Sequence, residues 1–240
     1  MKNKCIWILG ALAAVCVTAG LLITAVEAAV YWTPGYFQRE YEKHQVLEAV
    51  DMDMEDLLMV TDQMMSYLRG DREELQVVTF VDGRQQPFFN QREISHMEDV
   101  KGLFLGGMML RRICFALAAV MILAVWRLGG LRRLPQGFLA GIGIVFVGGA
   151  LTAGLVSADF NRYFTLFHHI FFDNDLWLLN PDTDRLINIV PLGFFMDTVL
   201  WIAVIFGIFM ALLLGSSIFA IVRFRQQTEK KPASVRKPTV

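Results

Sequence analysis

The sequence predicts a mainly α-helical, polytopic membrane protein: a bundle of four transmembrane helices with a small extracytoplasmic α+β cap. Hydrophobic residues make up 55% of its 240 residues. Three runs without a charged side chain, residues 5–26, 134–158 and 198–222, match the ~17–25 residues with which a helix crosses hydrocarbon. Basic residues cluster in a few short segments beside the apolar runs. These features favour a multi-pass membrane protein over a water-soluble domain.

A fourth span is predicted at residues 102–127, although Arg111 and Arg112 interrupt its apolar run. At ~1.5 Å per residue, a straight helix would place Arg111 about 22 Å deeper than His96. Such a depth is costly for an arginine. Two interpretations stay open. In the first, Gly102, Gly106 and Gly107 bend the chain, so that the arginines lie near the outer headgroups and anchor the helix there. In the second, the arginines hold a polar part of a substrate.

Lysine and arginine residues predict the orientation. They precede the first span at Lys2 and Lys4, fill the loop at residues 128–133 and dominate the tail at residues 224–240. Because cytoplasmic segments are enriched in these residues, both termini are predicted to lie on the cytoplasmic side of the cell membrane. A cleaved signal peptide is the alternative for residues 1–29, but its apolar run exceeds the usual ~7–15 residues.

This topology divides the chain into spans and connecting segments. In order, they are residues 1–30 (first span), 31–101 (extracytoplasmic cap), 102–127 (second span), 128–133 (cytoplasmic loop), 134–158 (third span), 159–191 (extracytoplasmic aromatic segment with histidines), 192–223 (fourth span) and 224–240 (cytoplasmic tail). Gly137 and Gly141 in the third span have a spacing that permits close helix packing. Packing within the bundle is favoured over a dimer, and the oligomeric state is left open.

The cap is too long for a simple connection and is expected to fold. Residues 53–68 form a predicted amphipathic helix that ends at Gly70. Residues 75–81 are predicted as a short strand, followed by a turn at Asp82 and Gly83. All cysteines lie in predicted spans, so disulfides are not expected to stabilise the cap.

A second cap helix is predicted to begin at Asn90, because Glu93 completes the spacing of a capping box. This helix carries His96 directly before the second span. Asp99, three residues further on, is expected to orient the imidazole and to hold one tautomer. A surface histidine on a capped helix is the alternative interpretation of this pattern.

The segment at residues 160–177, FNRYFTLFHHIFFDNDLW, carries two of the four histidines. As a helix it has one face lined by aromatic rings and one imidazole: Phe160, Phe164, Phe167, His168 and Phe171. Burying an imidazole without a partner is costly, so this stripe suggests chemistry at the lipid surface. His169 falls on the opposite, polar face and is predicted to be solvated or structural, and His44 is predicted to be a surface residue.

The sequence contains no HExxH, GxSxG or CxxC motif. Zinc-protease, serine-hydrolase and thiol-redox chemistry therefore have no local support. No metal, cofactor or nucleic-acid partner is predicted.

Three sequence motifs are distinctive enough to compare with known families. HMEDVKGLF precedes the second span, FHHIFFDNDLWLLNPDTDRLI follows the third, and VPLGFFMD precedes the fourth. Together they resemble the bacterial lipoprotein intramolecular transacylase family of four-span membrane proteins. The resemblance implies transfer of the sn-2 O-acyl chain of a diacylglyceryl-modified lipoprotein to the α-amino group of its N-terminal cysteine, without a cofactor. The product would be a lyso-form lipoprotein, made at the outer face of the membrane.

The resemblance also implies site residues. It matches the two family histidines to His96 and His168, as acid–base catalysts of unassigned order. The residues implied to line or support the pocket are Phe167, Phe171, Phe172, Asn174 and Trp177, with Tyr41 a weaker candidate. Two other functions stay open: a lipid-ester hydrolase that uses the same histidines, and a non-catalytic receptor or assembly factor with a binding cap.

Overall fold

The structure, a computed structural model, describes residues 2–81 and 83–229. The predicted turn residue Asp82 and most of the predicted tail lie outside the described residues. The described elements are, in chain order, α1 (Lys2–Tyr31), α2 (Tyr36–Lys43), α3 (Val46–Val50), α4 (Met54–Arg69), β1 (Val78–Val81), β2 (Arg84–Pro87), α5 (Gln91–Arg127), α6 (Leu134–Ala158), α7 (Phe160–Phe171), α8 (Leu186–Ile189) and α9 (Leu192–Glu229).

The predicted fold class is confirmed. Four helices, α1, α5, α6 and α9, are long and apolar enough to cross a membrane, and the described strands form a two-stranded sheet. The chain divides into two compact units. One contains the described residues of segments 1–22, 111–154 and 206–240, and the other contains residues 23–110 and 155–205.

Helix α5 is longer than a membrane span requires. It has 37 residues, whereas ~20 suffice to cross hydrocarbon. Its first turns, QREISHMEDVK, are polar and carry His96, so its apolar part begins at Gly102. The helix continues without a break through Gly102, Gly106 and Gly107, so these glycines do not interrupt it.

In the first unit, glycines bring α6 against α1. A Cβ atom on Gly141 would lie 2.5 Å from the carbonyl oxygen of Ala11 and 2.6 Å from the Cβ of Ala14. A Cβ on Gly137 would lie 2.7 Å from the carbonyl oxygen of Trp7. The predicted close helix packing therefore occurs within the chain, because only glycine lets the two backbones approach this far.

The second unit holds the cap core. Asp53 caps α4 by accepting a hydrogen bond from Asp56 N at 2.9 Å, and Gly70 ends the helix with φ of 87°. Strands β1 and β2 pair antiparallel, with Val78 opposite Pro87. The strand predicted at residues 75–81 is thus shorter than expected, and its partner strand was not predicted.

The start of α5 confirms the predicted capping box. Asn90 N donates to Glu93 Oε2 at 2.7 Å, and Glu93 N donates to Asn90 Oδ1 at 3.0 Å. The Glu93 side chain is 1% exposed, and its Oε1 also accepts a hydrogen bond from Leu186 N at 2.5 Å. One carboxylate therefore caps α5 and holds the start of α8 beside it.

Candidate active site

Helix α7 presents one imidazole to the interior of the second unit. Asp159 caps it by accepting a hydrogen bond from Arg162 N at 3.1 Å, and the helix ends at Phe171. His168 is 8% exposed, whereas its neighbour His169 is an exposed residue on the other face. The amphipathic pattern of the sequence thus separates the two histidines as predicted.

The imidazole rings of His96 and His168 lie next to each other, with centroids 6.4 Å apart and planes tilted by 32°. Both residues are buried. The ring of Phe172 contacts both imidazoles, at centroid distances of 5.3 Å from His96 and 5.5 Å from His168. Helices α5 and α7 therefore place two imidazoles, groups that can transfer protons, against the ring of Phe172.

The Nδ1 atom of His168 lies 2.7 Å from the carbonyl oxygen of Phe164. A carbonyl oxygen only accepts, so Nδ1 carries the proton and a neutral His168 has its lone pair on Nε2. Burial lowers the pKa of His168, and the contact with Phe164 opposes this shift. A neutral imidazole with a free Nε2 is suited to accept a proton.

His96 lies in the polar first turns of α5, outside the apolar part of that helix. Burial lowers its pKa to about 4, repulsion from His168 adds to the shift, and Asp99 partly opposes it. Its Nδ1 atom is buried and has no hydrogen-bond partner among the described residues. His96 is therefore neutral near pH 7, with an unused polar atom beside the second imidazole.

Asp99 was predicted to orient the imidazole of His96, but its carboxylate is bonded to Asn174 instead. Its Oδ2 accepts a hydrogen bond from Asn174 Nδ2 at 2.9 Å, and the described contacts include no bond to the imidazole of His96. Asn174 Oδ1 also accepts from Leu176 N at 3.0 Å. Asp99 thus holds the segment after α7, and it acts on His96 only through its charge.

The same segment positions Trp177. The guanidinium of Arg92 donates to the carbonyl oxygens of Asp175 and Leu178 and so holds the chain on both sides of the indole. The indole stacks on His168 with centroids 4.6 Å apart and planes tilted by 30°. Its edge also meets His169 at 5.4 Å.

Phe167 and Phe171 form an exposed apolar edge of the site. Their rings lie 4.7 Å apart, and Phe167 is 5.4 Å from His168. Phe167 is 44% exposed and Phe171 50% exposed. Of the predicted aromatic residues, Phe172 and Trp177 therefore enclose the imidazoles, whereas these two lie at the surface.

Tyr41 lies in the cap core. Its hydroxyl is 2.6 Å from Thr61 Oγ1, and its ring packs against Phe37 and Phe194. Among the described residues, no ring contact joins it to His96 or His168. Its structural surroundings are those of a packing residue in α2.

His44, predicted to be a surface residue, is instead part of a half-buried polar cluster. Its Nε2 lies 2.7 Å from Asp197 Oδ2 and 3.5 Å from Glu40 Oε2. Lys43 Nζ also pairs with Asp197, at 2.5 Å. Ligand atoms of Glu40, His44 and Asp197 lie within 4.8 Å of one another, but the Lys43 ammonium already neutralises one carboxylate. This pairing across α2 and α9 has no local sequence signal.

The fold and the paired imidazoles define a polytopic membrane protein equipped for acid–base chemistry. The model of the family "lipoprotein intramolecular transacylase Lit" matches residues 11–195. The chain belongs to this family, and it is therefore an acyltransferase.

Known structures agree with the fold. The lipoprotein intramolecular transacylase Lit from Bacillus cereus superposes with a TM-score of 0.70 at 18% identity, covering 92% of this chain and 95% of that chain. A structure of that protein with a histidine-to-alanine mutation gives a TM-score of 0.68 at 18% identity, covering 92% and 93%. An Aquifex aeolicus (strain VF5) protein described as uncharacterized is 25% identical over 203 residues, 80% of this chain and 86% of that protein.

Proposed function

We propose that the protein moves the sn-2 O-acyl chain of a diacylglyceryl-modified lipoprotein onto the α-amino group of that lipoprotein's N-terminal cysteine. The product is a lyso-form lipoprotein, and the reaction uses no cofactor. The observation that carries this proposal is the approach of the His96 and His168 rings to 6.4 Å, with the ring of Phe172 against both. That spacing lets both imidazoles address one acyl group.

His168 is the base in this mechanism. Its Nδ1–H is held by the Phe164 carbonyl oxygen, so Nε2 is the atom that accepts the proton of the attacking amine. An α-amino group has an ordinary pKa of ~7.7–8.0, so part of it is the neutral amine near neutrality, and this form attacks the ester carbonyl carbon. As the N–C bond forms, the nitrogen becomes acidic and one of its two protons passes to Nε2 of His168, which leaves the single N–H of the amide.

His96 is the hydrogen-bond donor. Because burial and the neighbouring imidazole lower its pKa to about 4, it works as a neutral N–H group rather than as an imidazolium. It stabilises the negative charge that develops on the ester oxygens. The C–O bond then breaks, and the proton on His168 passes to the departing glyceryl oxygen, so protons and bonds balance.

The pocket walls favour transfer over hydrolysis. Phe172 and Trp177 pack on His168 and limit the access of water to the acyl carbon. Orientation of two groups within one substrate can be worth effective molarities of ~10⁵–10⁸ M, more than the ~10²–10⁴-fold from acid–base help. The exposed rings of Phe167 and Phe171 provide an apolar edge along which the acyl chain enters from lipid.

The proposed site lies at the outer face of the cytoplasmic membrane. Basic residues such as Arg132 and Arg133 lie between α5 and α6, at the opposite end of α5 from His96. The positive-inside rule places that loop in the cytoplasm and the cap outside. Diacylglyceryl lipoproteins and membrane lipids would meet the pocket there.

The test is mass spectrometry of N-terminal lipopeptides from a host that makes diacylated lipoproteins. His96→Ala and His168→Ala should each abolish the N-acyl, lyso-form product. His169→Ala is the matched control, since it removes an exposed imidazole from the adjacent position and should largely spare activity. Full activity in His168→Ala would overturn the assignment, and free fatty acid as the product would indicate a hydrolase instead.

A further inference from the structure

The indole N–H of Trp177 is buried and has no hydrogen-bond acceptor among the described residues. Indole nitrogen can only donate, and leaving a buried donor unpaired costs ~1–3 kcal/mol. Trp201 shows the usual solution in this chain, since its Nε1 donates to Thr33 Oγ1 at 3.0 Å. An unpaired donor on an indole that packs against the His168 imidazole points to an acceptor that the substrate brings.

Trp177 is held in place by contacts on both sides. Arg92 donates to the carbonyl oxygens of Asp175 and Leu178, and the indole packs on His168 with centroids 4.6 Å apart and planes tilted by 30°. The segment is also joined to α5 through Asn174. A donor fixed before the substrate binds loses little in reorganisation when charge develops nearby.

The ring nitrogens of His168 and His96 differ in their hydrogen-bond partners. His168 Nδ1 is occupied by a backbone carbonyl, which leaves Nε2 as an acceptor. The unused Nδ1 of His96 and the indole N–H are the other buried polar atoms here without a partner among the described residues. An ester carbonyl that becomes tetrahedral needs donors for its oxygen, and one imidazole alone supplies a single N–H.

We propose that the Trp177 indole N–H donates a hydrogen bond to the substrate's ester carbonyl oxygen and strengthens it as that oxygen becomes an oxyanion. Trp177 is then a catalytic residue, the second donor beside His96. This inference rests on the proposed transacylation. It predicts that loss of the N–H alone, with the ring retained, slows the chemical step.

The test replaces Trp177 with benzothienylalanine, which keeps the bicyclic shape but has sulfur in place of N–H, and with phenylalanine. Purified protein in lipid vesicles is assayed with a diacylated lipopeptide. Loss of one oxyanion donor typically lowers kcat by ~10²–10³-fold, and KM should stay within a few-fold. The same replacements at Trp201 are the matched control and should leave kcat nearly unchanged.

The outcomes separate this inference from the proposed function. Wild-type protein that makes no lyso-form product would defeat the proposed function itself. Wild-type activity combined with an unchanged kcat for benzothienylalanine at position 177 would overturn only the donor role. A loss of kcat accompanied by an altered nuclear magnetic resonance titration of His168 would also overturn it, because Trp177 would then act by positioning that imidazole.

Discussion

The Nδ1 atom of His168 lies 2.7 Å from the carbonyl oxygen of Phe164, one turn earlier on α7. This contact within a single helix fixes which ring nitrogen carries the proton. It therefore assigns the acceptor role to Nε2. Five predictions rest on this and other contacts in the second unit.

Both site histidines should titrate below the ordinary value of ~6.5. Burial lowers the pKa of each, to about 4 for His96. In nitrogen-labelled protein, both imidazoles should titrate below the ordinary value of ~6.5, with His96 lowest and His168 in the Nδ1-protonated tautomer. A midpoint at or above 6.5 for His168 would contradict the proposed state of the base.

The same shifts predict how stability depends on pH. An unfolded histidine binds its proton near pH ~6.5, before the folded one does, so protonation favours unfolding. The free energy of unfolding should fall as pH drops from 6.5 towards 4. Thermal unfolding in one detergent should show a shallower decline for His96→Phe, which cannot titrate. Equal slopes for the two proteins would refute the lowered pKa of His96.

The hydrogen bond between Asn174 and Asp99 should hold the segment that carries Trp177. Asp99→Ala and Asn174→Ala should each destabilise the observed position of this segment by about 1 kcal/mol. The cost is modest because this charge-assisted hydrogen bond is exposed. Amide hydrogen exchange of residues 173–178 should rise in both variants, and kcat should fall several-fold. The effect of the double variant should be smaller than the sum of the two single effects, because either substitution alone already breaks the shared bond, and Asp173→Ala is the control. Additive effects would show that the two side chains act separately.

Glu93 should be the most sensitive carboxylate of the cap. Glu93→Ala removes the acceptor for Asn90 N and for the buried Leu186 N, which should cost about 2–4 kcal/mol. For a chain of this size, that lowers the unfolding temperature by roughly 5–10 °C. Glu98→Ala, on the exposed face of the same helix, should change it little. Similar unfolding temperatures for both variants would disprove the bridging role of Glu93.

Glycine at position 193 should be required for stability, because the imidazole of His44 leaves no room for a Cβ atom there. A Cβ on residue 193 would lie 2.6 Å from Cε1 and 2.8 Å from Nδ1 of that imidazole, so Gly193→Ala should push His44 away from Asp197 and cost ~1–3 kcal/mol. In a His44→Ala background the same substitution should be nearly neutral, because the clash is gone. Gly207→Ala, where a Cβ meets no described neighbour within 4 Å, is the control. Equal costs in both backgrounds would rule out the steric explanation.

Several elements were predictable because their signals are local. The capping box of Asn90 and Glu93, the helix that ends at Gly70 and the outward position of His169 all follow from residues within a few positions of one another. Strand β2 was missed because RQQP lacks the β-branched or aromatic residues that mark strands. Only its pairing with β1 makes it a strand.

The pairs that join distant elements were not predictable. His44 looked like a surface residue because its partner Asp197 lies on α9, and Asp99 was paired with His96 because Asn174 lies beyond α7. Hydrophobic periodicity shows which face of a helix is buried, but not which face of another helix it meets.

By itself, the sequence determined that four helices can span a membrane, that the helix at α5 begins with a capping box, and that His168 and His169 lie on different faces of α7, whereas the choice of His96 together with His168 rested on the family resemblance. Those properties depend on apolar run length, on capping side chains and on helical period, all set over short stretches of chain. Only the tertiary structure decided that the two imidazoles meet across Phe172, that His168 presents Nε2, and that the Trp177 N–H faces no described acceptor. The physical reason is that such contacts depend on how separate helices and the segment after α7 pack, which no local pattern encodes.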